Sequence, residues 1–113
     1  MAQVKLPNPL ARRHLLEGGL DPAKAKALGE AYLAAGREVE AVDFLEIAEA
    51  HESLERLRER AIEAGDAFLT RAVSAALRDE PTAQTWIRCA EAAVKAGRER
   101  DAETSRRLAT VGE

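Results

Sequence analysis

An all-α fold is what these 113 residues predict, and three observations carry the prediction. Alanine supplies 24 positions and Leu, Glu and Arg most of the remainder, while β-branched residues are sparse and aromatics number four, a helix-forming balance. No proline occurs between Ala23 and Glu80, and stops such as Gly36, Gly65 and Gly97 divide the chain into segments. Those segments carry narrow apolar stripes at helical spacing.

Taken in order, residues 1–9 hold Pro7 and Pro9 and read as a flexible lead-in. A short helix over 10–17 follows and stops at Gly18-Gly19. Asp21-Pro22 reads as an N-cap followed by proline at the first helical position, where the missing N–H costs nothing, so the second helix spans 22–35. Gly36, the polar stretch Ala50-His51-Glu52-Ser53, Gly65, Asp79-Glu80-Pro81 and Gly97 delimit further helices near 38–50, 53–64, 66–78, 81–96 and 98–110. On the helix over 38–50, Val39, Val42 and Leu45, with Phe44 and Ile47, are expected to face inward, and Glu40, Asp43, Glu46 and Glu49 outward. Short helices with such stripes cannot stand alone, and short glycine-ended connections make antiparallel neighbours the natural pairing. The expectation is six to seven helices in one domain over 10–113, a length that buries roughly 65% of the unfolded chain's surface.

Charge and motif content exclude several function classes. The first 57 residues carry 7 basic and 10 acidic side chains and the other 56 carry 10 and 10, so neither half offers the positive field that phosphate contacts require. Arg56, Arg58 and Arg60 form the densest basic run, but alternate residues of a helix do not share a face. No binding to nucleic acid or to a membrane surface is expected. No segment approaches the roughly 20 apolar residues that span a bilayer, nor is there a signal-like stretch, and a cytoplasmic protein is the expectation. The preference for Arg, 13 of 17 basic residues, together with abundant Ala, associates with a GC-rich bacterial genome.

Cys89 has no cysteine to pair with and falls among apolar neighbours, as a small buried side chain would. His14 and His51 form no zinc-binding spacing, and the pair His51 and Glu55, one turn apart, would need ligands from elsewhere. Gly18-Gly19 lacks the residues of a phosphate loop. No catalytic residue, metal or cofactor is expected, and the protein reads as a non-enzyme.

An internal repeat gives a positive signal. Ala35-Gly36-Arg37-Glu38-Val39-Glu40-Ala41 is echoed by Ala96-Gly97-Arg98-Glu99-Arg100-Asp101-Ala102, with a looser copy beginning at Ala64-Gly65. Around the first copy stand Leu28-Gly29, Tyr32, Gly36, Ala41, Leu45 and Ala48; around the last, Trp86, Ala90, Gly97, Ala102 and Ala109. This pattern resembles the tetratricopeptide repeat, a helix-turn-helix unit of about 34 residues. The glycine spacings of 29 and 32 fall short of that unit, Cys89 and Ala93 replace the family's Leu and Tyr, and Thr70 stands where the middle copy should have Ala. The resemblance covers residues 22–110 and implies hairpins stacked as a short right-handed superhelix. Independently of the family, Gly29, Ala90, Ala41, Ala48, Ala102 and Ala109 are small enough for helices to approach closely, with Tyr32 and Trp86 filling the space between layers.

In this family the first helices of successive hairpins line a groove for a partner segment. The resemblance therefore implies partner-binding residues at Lys26, Glu30 and Leu33, at Glu55, Arg56, Glu59 and Ile62, and at Gln84, Ile87, Arg88, Glu91 and Lys95. The central position is glutamate each time, at Glu30, Glu59 and Glu91, a ladder that favours a basic segment in the partner. The bland reading is solvated surface held by i, i+4 neighbours such as Lys26 and Glu30. A second acidic stretch, 38–55, holds seven carboxylates and no Lys or Arg, and reads as a solvated outer face. The expected function is a small protein-binding adaptor or scaffold. The alternatives are a homodimer or larger self-assembly without a peptide groove, and a small metal-binding bundle.

Overall fold

Helix boundaries follow local hydrogen-bond accounting. A computed structural model describes residues 5–111 and forms seven α-helices, with no strand among the described residues. They are α1 (Pro9–Glu17), α2 (Pro22–Ala34), α3 (Glu38–Ile47), α4 (His51–Ala64), α5 (Ala67–Leu77), α6 (Ala83–Lys95) and α7 (Glu99–Val111). Residues 5–8 of the expected lead-in precede α1 without regular structure, and residues 1–4 lie outside the described residues. Four helices begin with a side-chain cap: Asn8, Asp21, Asp66 and Thr82 each accept a bond from the backbone N–H three residues on.

The helix ends repeat one device. At Gly36, Gly65 and Gly97 the backbone turns left-handed (φ +74°, +71° and +74°). In each case the following residue's N–H reaches back five residues: Arg37 to Tyr32 (2.9 Å), Asp66 to Ala61 (2.9 Å) and Arg98 to Ala93 (2.8 Å). This is the Schellman terminator, which satisfies a last-turn carbonyl and needs a positive φ that glycine tolerates. The same closure ends α3 at Glu49 (φ 51°) and α5 at Arg78 (φ 53°), where no glycine marks it.

The described residues form two compact units, one up to Leu54 and one from Glu55 on. In the first, α2 packs along α3 as an antiparallel hairpin. Its core is Ala25, Tyr32, Ala41, Val42, Phe44, Leu45 and Leu54, with the Tyr32 and Phe44 rings stacked at 5.5 Å and 10°. Gly29 makes that approach possible: a β-carbon there would lie 2.7 Å from Leu45 Cδ2. Val39 departs from the expected inward stripe and is 47% exposed. The buried face of α3 is centred on Ala41, Val42, Phe44 and Leu45, which puts position 39 on the opposite side of the helix.

In the second unit α6 packs along α7, and α5 meets α7. Ile62, Ala67, Trp86, Cys89 and Ala109 form one cluster with Leu108 against it, so four helices share a core. Polar side chains tie the hairpin ends. Asp101 of α7 accepts from the Ala67 N–H at 3.1 Å, capping α5 from another helix, and Arg98 lies 3.8 Å from Asp66 and 3.5 Å from Asp101. Arg37 and Glu40 hold the matching repeat positions in the first unit and are also paired, at 2.6 Å.

Candidate functional site

A concavity in the second unit lies between the C-terminal half of α4 and α6. It is lined by Ile62, Glu63 and Ala64 from α4 and by Arg88, Glu91, Ala92, Lys95 and Ala96 from α6 and its end. Helical spacing explains the set: 88, 91, 92 and 95 are turn-to-turn neighbours on one side of α6. The alanines keep the wall low. At Gly65, the residue after α4, a β-carbon would collide with the backbone of Ala92 and Ala93, so the end of α4 lies directly against α6.

Of the groove residues implied by the sequence, Ile62, Arg88, Glu91 and Lys95 are brought together here. Ile62 is only 3% exposed and belongs to the core cluster, so it offers the depression its floor and not a projecting contact. Glu59 joins at the edge by pairing directly with the Arg88 guanidinium. That hydrogen bond, reinforced by the charges of Glu59 and Glu63, holds Arg88 above its ordinary basicity. Glu55 and Arg56 on α4 and Gln84 on α6 are exposed but do not line the depression, and Ile87 is exposed beside it on α6.

Lys26, Glu30 and Leu33 lie on α2 in the first unit, Leu33 half-buried. Glu30 accepts a hydrogen bond from the Ser53 hydroxyl at 2.9 Å. Two rungs of the glutamate ladder, Glu30 and Glu59, are thus engaged within the chain, and Glu91 is the rung that lines the depression.

One constellation escaped the sequence reading. Arg12 of α1 reaches α3, donating to the Glu40 carbonyl at 2.8 Å and to Asp43 at 3.2 Å. Its guanidinium lies 5.2 Å from the Phe44 ring centre and 5.6 Å from that of Tyr32. Arg37 lies 5.0 Å from the Tyr32 centre and grips Glu40 with two bonds, at 2.7 and 2.6 Å. That hydrogen bonding raises the pKa of Arg37 and lowers that of Glu40, with the charges of Arg37 and Arg12 adding to the latter. The acidic outer face of α3 is therefore partly occupied by the chain's own arginines. The available signal was the lack of a complement for Arg12 on α1, but its partners are about 30 residues away and no periodicity connects them.

Among the described residues no group of three His, Cys, Asp or Glu side chains could hold a metal ion, and no helix is long and apolar enough to cross a membrane. No family model matches the chain, and neither a curated protein nor a solved structure matches it.

Proposed function

We propose that this chain is a non-catalytic protein-binding module, built from tetratricopeptide-like hairpins, that holds a short basic segment of a partner protein in the depression between α4 and α6. The observation that supports this reading is the composition of the depression: an apolar floor at Ile62, alanine walls, and Glu63 and Glu91 at its sides. Arg88 is already matched by Glu59, so Glu63 and Glu91 outweigh Lys95 and the local field favours a cation. Ile87, exposed on the same helix, extends the apolar contact.

Two charge contacts at ~0.5 kcal/mol and burial of one or two aliphatic side chains at ~1.5–3 kcal/mol fall short of nanomolar binding. A micromolar or weaker dissociation constant is expected, as suits an adaptor. The test is selection of displayed random peptides on the immobilised chain, followed by NMR mapping. Selected peptides should contain Lys or Arg beside an aliphatic residue, shift the amides of Ala64, Ala92 and Ala96, and lose at least about tenfold in affinity for an E63K/E91K variant of unchanged helical content. Peptides that bind parent and variant equally would sink the reading.

A second reading, self-association, is favoured by one observation. Ile87 and Val94 are 42% and 54% exposed and seven residues apart on α6, with small Ala90 between them. Sedimentation mass rising with concentration in the parent, and not in an I87E/V94E variant, would support it.

A further inference from the structure

Independently of the α4–α6 depression, the geometry points to a guanidinium-reading slot in the first unit, formed by the stacked rings of Tyr32 and Phe44, the Glu40 carbonyl and the Asp43 carboxylate. Its resident occupant is Arg12, and its second ligand is an arginine side chain of a partner segment that displaces α1.

The slot combines three elements that suit a cation, and its ring pair is the one that favours a flat guanidinium over an ammonium. Two rings packed almost parallel, 10° apart, offer an extended face for a flat cation, which lies 5.2 and 5.6 Å from their centres. A carbonyl at 2.8 Å and a carboxylate at 3.2 Å take N–H donors of one terminal nitrogen. The surrounding acidic run of 38–55 supplies a field that draws cations to this face. Arg37, although near Tyr32, is committed to Glu40 through both ends of its fork and acts as a wall of the slot.

The occupant is held in a way that permits exchange. α1 contains no buried residue: Ala11, Arg12, Leu15 and Leu16 are half-buried, and Arg12 makes the side-chain bonds to α3. The Arg12 side chain is 19% exposed, yet its Nε is buried with no hydrogen-bond partner. A buried donor left unmatched weakens the resident's hold. An arginine approaching from another chain, with a different backbone direction, need not bury its Nε and can compete. α1 thus behaves as a tethered pseudo-ligand, and the slot is open to partners only in the fraction of molecules in which α1 has lifted.

The full-length chain tests this with an R12A variant and two probes, N-acetyl-arginine amide and its lysine counterpart, read on the ring protons of Tyr32, the one tyrosine. In R12A the α1 amides should lose protection from hydrogen exchange while those of α2 and α3 keep theirs. The arginine probe should then shift the Tyr32 ring saturably, at least about tenfold more tightly than in the parent, and the lysine probe should not. Methylguanidinium alone should produce the same ring shift. Three results would overturn the inference: no saturable shift in R12A, equal response to lysine, or loss of α2 and α3 protection in R12A, which would make Arg12 a structural element of the hairpin.

Discussion

At Gly29 an added methyl group would arrive 2.7 Å from Leu45 Cδ2 and 2.8 Å from its Cγ, both atoms of a flexible side chain. At Gly65 the same methyl would strike the backbone of Ala92 and Ala93, which has no rotamer to change, and the residue also sits at φ +71°. The two substitutions therefore differ in kind. G29A should destabilise by about 1–2 kcal/mol, because Leu45 can shift at the cost of some overpacking. G65A should cost roughly 3 kcal/mol or more, combining left-handed strain with a backbone clash. Denaturant melts followed by circular dichroism give both values, and a G65A cost no larger than that of G29A would show that α4 does not end against α6. The close approach at Gly29 was readable from the repeat pattern. The role of Gly65 was not, since a helix-ending glycine looks the same whether the space beside it is solvent, as at Gly36 and Gly97, or another helix.

Among elements, the ends of α2, α4 and α6 were legible because glycine marks them, and those of α3 and α5 were placed from polar or proline-bearing stretches alone. The structure shows all five closing in one way, with Glu49 and Arg78 adopting a left-handed φ that glycine would hold at less cost. E49G and R78G should each stabilise the chain by about 0.5–1 kcal/mol, once the larger backbone entropy of glycine in the unfolded chain is set against the relieved strain. Thermal melts of the single and double variants check this. The increments should add, each acting through its own backbone turn. A loss of stability in either variant would mean that the side chain, not the backbone turn, holds that helix end. The register of α3 was the element-scale error: a stripe read through Val39 is rotated away from the core that Ala41, Val42, Phe44 and Leu45 define. Counting alanine as a core residue would have found it, since in an alanine-rich chain the small side chains mark the contact face as surely as the large ones.

For the molecule as a whole, what the sequence made visible is what repeats locally: helix number, helix limits and the glycine turns, all governed by contacts within a few residues. What it hid are the meetings of distant residues, such as Arg12 with Asp43 and Arg88 with Glu59, because charges so abundant on every helix can pair in many ways and only the packed backbone selects among them. The same contrast bears on what holds the fold. The described ion pairs are partly to largely solvent-exposed, Arg13 with Glu17 and Arg88 with Glu59 most openly, and such pairs contribute ~0–1 kcal/mol each. Buried side chains such as Tyr32, Phe44, Leu45, Leu54 and Leu57 contribute ~1.5–3 kcal/mol each. Raising sodium chloride from about 0.1 to about 1 M shrinks the screening length from ~10 to ~3 Å and should suppress the pairs while leaving burial in place. The unfolding free energy from urea melts at the two salt concentrations should therefore change by less than ~2 kcal/mol. A larger loss would mean that the pairs between distant residues carry the fold, and that the alanine-rich cores are too thin to stand without them.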